Sequence, residues 1–246
     1  MMLTHSPAGE DAISRLLAAW VEAVLRYDEI MSGDAGEGGD CCWWYNERAN
    51  VSVLAGAAWA KGWVALEEYS TLKRAEALTS GVDDEDGSDA RGRVDLYVST
   101  RDKDYAFEAK QVWLRMDPGF ETAGRSGKVA EGMNAARHDA LKLVGEAGAH
   151  YAVTFVIPFI STAVLDAGAM ADFNSRLFQW LSGLSESASP SGCASGHGPV
   201  QVAYVFPRLE QRCYVNAAGY YYPGIVMLLE DVSDYRALAE SLAPGP

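Results

Sequence analysis

Alternation of apolar and polar residues with a period of two predicts a β-hairpin near the middle of the chain. The first strand, residues 92–98, alternates around Asp95, and its apolar residues face one way. After a polar turn, the second strand, residues 105–111, carries Glu108 and Lys110 on the face opposite its aromatic residues. The hairpin therefore has one apolar face for the core and one face that bears charges.

Helical periodicity on both sides of this hairpin predicts an α/β protein. Apolar residues three and four apart predict helices over residues 10–31, 43–60, 126–147 and 170–184, with Ser126 capping the third helix and Ser233 capping a short last one. Further strands are predicted at residues 62–72, 150–160, 201–206, 211–216 and 219–229. For residues 62–72 a helix is the rival interpretation, because Ala, Leu and Glu are good helix formers. The segment 150–160 is almost continuously apolar, as expected of a central strand covered on both faces.

Glu47 begins the apolar stripe of the second predicted helix. It is followed on that stripe by Val51, Leu54 and Ala58. A carboxylate at this position has two interpretations. It either points inward to a functional site, or it is a first-turn glutamate that the helix dipole favours.

The charged face of the hairpin predicts a site for a hard cation. Two carboxylates and an ammonium on a partly buried sheet face are unfavourable unless they hold something. Asp95 and Glu108 offer the oxygen ligands that Mg²⁺ prefers, and Mg²⁺ commonly keeps several waters and takes a substrate phosphate as a further ligand.

Asp95 followed by Glu108-Ala109-Lys110 resembles the motif of the PD-(D/E)xK nuclease superfamily, which has the restriction-endonuclease-like fold. Val94 stands where the family pattern has proline. The resemblance implies a central mixed β-sheet flanked by helices in the order α-β-β-β-α-β, to which the strands predicted above add a C-terminal extension. It covers a core of about residues 43–160 in a single domain, with an N-terminal helix at 10–31 and a β-rich extension at 200–246.

The same resemblance implies hydrolysis of phosphodiester bonds in nucleic acid, DNA more often than RNA. Asp95 and Glu108, supported by Glu47, would bind one or two Mg²⁺ or Mn²⁺ ions. Lys110 would neutralise developing charge or orient the attacking water. The superfamily often places a glutamate on the helix before the sheet, which favours the functional interpretation of Glu47. On the following helix, Lys128 and Arg137 are candidates to bind the phosphate backbone.

The charges are distributed unevenly along the chain, and this affects whether the protein could bind nucleic acid. A formal net charge of −14 argues against a simple nucleic-acid-binding protein. However, residues 91–142 contain half of the 20 basic residues. This pattern fits either a local phosphate-binding face on an acidic body or a solvated surface of mixed charge.

Other features of the sequence restrict location and cofactors. No apolar run has the length of a membrane span, and the N-terminus lacks the basic-then-apolar order of a signal peptide, so we expect a cytoplasmic protein. The four cysteines form no Cys-x-x-Cys motif and are expected to be reduced thiols. We interpret residues 220–222, three consecutive tyrosines, as strand packing in preference to a base-stacking platform.

Two alternatives from other functional classes stay open. A catalytically silent relative would act as a binding or immunity-type module, and its acidity would suit a basic protein partner. A structural protein would instead use the hairpin charges in a salt-bridge network with Arg93 and Lys110. Retention of Asp95, Glu108 and Lys110 together favours the nuclease. The sequence does not decide the oligomeric state.

Overall fold

The computed structural model describes residues 1–32, 39–73, 90–118, 122–144, 147–165, 167–187 and 200–233. Its helices are α1 (Ala12–Met31), α2 (Glu47–Ala60), α3 (Thr122–Lys142) and α4 (Ala167–Ser187). Its strands are β1 (Leu3–His5), β2 (Val64–Lys73), β3 (Ala90–Ser99), β4 (Asp104–Arg115), β5 (Leu143–Val144), β6 (Ala149–Ser161), β7 (Val200–Phe206), β8 (Tyr220–Tyr221) and β9 (Ile225–Asp231).

Eight of these described strands form one open sheet in the order β1-β7-β9-β6-β4-β3-β2-β5, and β8 pairs with the end of β6. Strands β4 and β6 run parallel over eleven residue pairs, from Tyr105↔Ala149 to Arg115↔Phe159, whereas the other described pairs are antiparallel. The prediction of an α/β fold with a mixed sheet flanked by helices is therefore confirmed.

Helix α3 makes the crossover that two parallel neighbours require. It packs on both β4 and β6. Gly132 permits this close approach, because a Cβ atom there would lie 2.3 Å from Cγ2 of Val112 on β4. The crossover brings the C-terminal half of α3 beside the middle of β4, which carries Glu108 and Lys110.

The helices cover the sheet on two sides. On one side, Leu17 and Trp20 of α1 and Leu54 of α2 pack against sheet residues such as Phe155. On the other side, Phe173 of α4 and residues of α3 pack against the opposite faces of the same strands. Strand β6 is buried along nearly its whole length, which confirms its predicted central position.

Several predicted boundaries differ from the observed ones. Residues 211–216 form only a single β-bridge, at Val215, so the strand predicted there is wrong. Ser126 lies inside α3, which starts at Thr122. The same helix ends at Lys142, because Leu143 and Val144 pair with β2 instead of continuing the helix. The helix predicted after Ser233 lies outside the described residues.

The C-terminal strands belong to the main sheet. Strand β9 lies directly beside β6, and β7 lies between β9 and β1. Tyr221 and Tyr222 are buried, in agreement with packing. Cys41, Cys42 and Cys213 are free thiols, whereas Cys193 lies outside the described residues. Among the helices that the structure describes, none combines the length and apolarity of a membrane span.

Candidate functional site

The candidate site lies where β3 and β4 separate. The two strands pair from Ser99↔Asp104 to Leu96↔Phe107, and the pairing stops there. Beyond that point the Ala109 N–H donates to Oδ2 of Asp95 at 2.8 Å. The backbone of Gln111 lies close enough to the carboxylate of Glu47 to lower its pKa. The Asp95 carboxylate therefore satisfies an amide of β4 that β3 no longer pairs, as buried backbone donors require.

Glu47 reaches this position because α2 is tied to β4. Asn46 caps the helix by accepting from the Ala49 N–H, so Glu47 is the first helical residue. One turn later, Asn50 is only 1% exposed, and its Nδ2 donates to Oε1 of Gln111 at 2.8 Å. Glu47 is thus a first-turn glutamate that is also half-buried and faces β4.

The pKa of Glu47 reports its charged surroundings. Burial raises this pKa, and the negative charge of Asp95 raises it further. The Lys110 ammonium and the Gln111 amide act in the opposite direction without cancelling the effect. Glu47, Asp95 and Lys110 therefore interact electrostatically across elements far apart in sequence.

Glu108 is the most deeply buried charge of the site. Its side chain is 3% exposed, and Lys73 Nζ lies 2.7 Å from its Oε1. The contact is an ion pair whose angles are not those of an aligned hydrogen bond. Burial raises the pKa of Glu108 to about 7, and the Asp95 charge adds to this effect, whereas Lys73 and Lys110 oppose it.

Lys110 is held by a residue that sequence reasoning missed. Its Nζ lies 2.7 Å from Oδ2 of Asp139 on α3. Burial lowers the pKa of Lys110, but the hydrogen bond and charge of Asp139, helped by the charge of Glu47, outweigh burial and raise it. Burial acts to raise the pKa of Asp139, yet Lys110 and Lys142 bring it below its ordinary value. Asp139 lies next to Ala140, at the flank of the buried stripe of α3. This position in the helical pattern is the sequence signal that could have indicated a residue close to the sheet.

An acidic cavity of about 240 Å³ opens beside these residues on the α2 side of the sheet. Its lining residues are Glu47, Arg48, Val51, Glu67, Glu68 and Asp95. Four of these six residues are acids, so the cavity favours a cationic or metal-bridged occupant over a free anion.

Glu68 has a strained backbone at this cavity. Its φ is +51°, in the left-handed region that glutamate rarely adopts. It lies between the residue pairs Glu67↔Leu96 and Tyr69↔Val94, which brings it opposite Asp95 in the register of β2 and β3. Its carboxylate contacts Arg48 at 2.7 Å and Arg93 at 3.3 Å. Such strain is concentrated at functional sites, and nothing in the sequence pattern predicted it.

The two predicted phosphate-binding residues differ in their surroundings. Arg137 directs its guanidinium to Glu230 of β9 at 2.7 Å, and Glu230 is 1% exposed. It also donates to Asn134 on its own helix. Lys128 is exposed near the start of α3. The structure brings Glu47, Asp95, Glu108 and Lys110 together but engages Arg137 in a buried ion pair.

Within the described residues, no three His, Cys, Asp or Glu side chains are arranged to hold a metal ion by themselves. The acids of the site instead combine with lysines, as in the pairs Glu108–Lys73 and Asp139–Lys110. Comparisons of the chain with protein-family models, with curated proteins and with solved structures find no significant match.

Proposed function

We propose that the protein is a Mg²⁺- or Mn²⁺-dependent nuclease that cleaves phosphodiester bonds, in DNA more readily than in RNA. The observation that carries the proposal is the meeting of Glu47, Asp95 and Lys110 with buried Glu108 where β3 and β4 separate. The element order α2-β2-β3-β4-α3-β6, with β4 parallel to β6, supports a restriction-endonuclease-like core.

The side chains present fit a hard divalent cation. Mg²⁺ binds through one or two carboxylates and fills its other positions with water and substrate phosphate, so a set of three protein ligands is not required. Glu108 already holds a positive charge, the Lys73 ammonium, at its buried oxygen. Asp95 and Glu108 would hold the ion, with Glu47 in support. A bound ion would polarise the scissile phosphate and lower the pKa of a coordinated water.

Lys110 is the side chain that would place a positive charge beside the substrate phosphate, in addition to the metal ion. Its raised pKa keeps the ammonium charged at neutral pH, and Asp139 fixes its direction. An ammonium held in advance next to the scissile phosphate stabilises negative charge as it develops, without reorganisation during the reaction. Glu47 lines the acidic cavity and can orient a water at its mouth.

Cleavage of supercoiled plasmid and of single-stranded DNA and RNA in Mg²⁺ or Mn²⁺ tests the proposal. Lys110→Ala should lose about 10²- to 10³-fold in rate. Its unfolding free energy should change by less than about 1 kcal/mol, because the ion pair with Asp139 is partly exposed to solvent.

Lys61→Ala is the matched control for this variant. Lys61 follows α2, and its ammonium lies 3.9 Å from an exposed carboxylate of Glu22. The control removes the same charge and should cleave like the wild-type protein. A folded Lys110→Ala protein that cleaves at the wild-type rate would refute the assigned role of Lys110.

A second function is favoured by the charges already paired inside the site. Lys73 and Lys110 are both neutralised by carboxylates at 2.7 Å, and acids dominate the cavity. A silent nuclease-like module that binds a basic protein would have these properties. It predicts no cleavage of any nucleic acid, together with binding of a lysine-rich peptide that Glu67→Gln weakens.

A further inference from the structure

The carboxylate assigned to metal binding is occupied in this structure by a lysine of the same chain. Lys73 Nζ lies 2.7 Å from Oε1 of Glu108, and the Lys73 side chain is 24% exposed. Glu108 itself is almost inaccessible to solvent. A buried carboxylate needs a positive partner, and the lysine provides that partner when no cation is bound.

The path of the lysine to this carboxylate is built into the sheet. Lys73 is the last residue of β2, and its aliphatic stem passes over Gly92 of β3. A Cβ atom on Gly92 would lie 2.6 Å from Cγ and 2.7 Å from Cδ of Lys73. Any larger residue at position 92 would therefore push the lysine stem from its present course.

A divalent cation and the Lys73 ammonium compete for the same charge. A cation bound to Glu108 would lie a few ångströms from Nζ, where two positive charges in a poorly solvated region repel each other strongly. The lysine is attached to the chain, so it is always present at high local concentration. Cation binding must therefore displace Lys73 or be weakened by it.

We infer that Lys73 is a positioning residue that holds Glu108 in the cation-free protein and sets the affinity of the site for divalent cations. The inference rests on the proposed role of Glu108 as a metal ligand. Lys73 and Gly92 lie outside the motif formed by Asp95, Glu108 and Lys110. In the resting protein, the lysine holds the Glu108 carboxylate in place, and it withdraws when the cation arrives.

The test is the dissociation constant of Mn²⁺, measured at pH 8 by the electron paramagnetic resonance signal of free Mn²⁺. Lys73→Met keeps the length of the side chain and removes the competing charge, so it should bind Mn²⁺ about tenfold more tightly than wild type, or more. Lys61→Met lowers the net charge by the same amount at a distant surface position and should stay within about twofold of wild type.

Gly92→Ala tests the same idea without any change of charge. By displacing the lysine stem it should also tighten Mn²⁺ binding. Lys73→Arg should weaken binding, because a guanidinium pairs with a carboxylate through two hydrogen bonds. Adding Glu108→Gln to Lys73→Met should abolish the gain, since the ligand itself is then lost.

The results separate this inference from the proposed function. If Glu108→Gln abolishes Mn²⁺ binding while Lys73→Met and Gly92→Ala leave it unchanged, Lys73 is a structural ion-pair partner and the inference is overturned. If both variants bind Mn²⁺ more tightly but neither they nor the wild-type protein cleave nucleic acid, the inference is supported and the proposed nuclease activity is refuted. If Lys73→Met does not fold, Gly92→Ala and Lys73→Arg test the inference instead. An unchanged affinity for Mn²⁺ in both of these variants overturns it.

Discussion

Glu108 combines deep burial with ionisable neighbours on three strands. Asp95 comes from β3, Lys110 from β4 and Lys73 from β2. The balance of these influences leaves the pKa of Glu108 at about 7, above its ordinary value of 4.5. Burial is the largest cause, so the charged form is disfavoured by the fold even with an ammonium in contact. The residue consequently links the stability of the protein to pH.

This linkage predicts how stability depends on pH. Because the folded-state pKa of Glu108 is raised, the folded protein keeps a proton between pH 4.5 and about 7 that the unfolded chain releases. The free energy of unfolding should fall by up to about 3 kcal/mol across this window, and the whole loss is present above it. Glu108→Gln should lack this component when urea denaturation in EDTA is compared with wild type at several pH values.

Glu22→Gln provides the comparison for that measurement, because Glu22 is an exposed acid on α1. It should follow the pH dependence of the wild-type protein. Equal slopes for wild type and Glu108→Gln between pH 4.5 and 7 would mean that Glu108 stays ionised throughout this range.

At the scale of secondary-structure elements, the site depends on the irregular middle of β2 and β3. Glu68 interrupts the regular pairing opposite Asp95, and β3 pairs with β4 only from Leu96 onward, so the two strands separate at Asp95. The interruption and the separation meet at one residue of β3. A regular hairpin would pair the Ala109 amide with β3 backbone and would leave no gap for the Asp95 carboxylate.

The strain at Glu68 is expected to be measurable. Glycine adopts positive φ without steric conflict, whereas alanine keeps the conflict of glutamate. Glu68→Gly and Glu68→Ala both remove the exposed ion pairs with Arg48 and Arg93, which contribute little. Glu68→Gly should therefore be more stable than Glu68→Ala by about 1 kcal/mol in urea denaturation. The reverse order would show that position 68 is not strained.

At the scale of the whole molecule, the sequence predicted what depends on local patterns. Alternation around Asp95 and Glu108 predicted the hairpin, and helical spacing predicted that Glu47 faces inward. The partner Lys73 could not be predicted, because it depends on where the end of β2 lies relative to β4 across β3. For Asp139 the only sequence signal was its place beside the buried stripe of α3. The left-handed backbone of Glu68 has no sequence signal, since glutamate is an unusual residue for it.

The net charge of −14 predicts an unusual salt dependence for nucleic-acid binding. At 0.01 M salt the screening length is about 30 Å, so the acidic body should repel DNA at long range, whereas at 0.15 M it is about 8 Å. The association rate constant of the Lys110→Ala protein with labelled duplex DNA should therefore rise between these conditions in stopped-flow anisotropy. A falling rate would instead show that the basic residues of segment 91–142 dominate the encounter.

The interleaving of the two ends of the chain in one sheet has a consequence for how the protein could be divided. The N-terminal strand β1 pairs with β7, and β9 pairs with the central strand β6. A cut between Ser187 and Val200 would thus separate two fragments that each lack neighbours for their own strands. The larger fragment would keep every residue of the candidate site but would expose the edge of β6. The smaller fragment would complete the sheet on reassociation, which makes this chain suited to a split reporter whose fold is restored when two fused proteins meet.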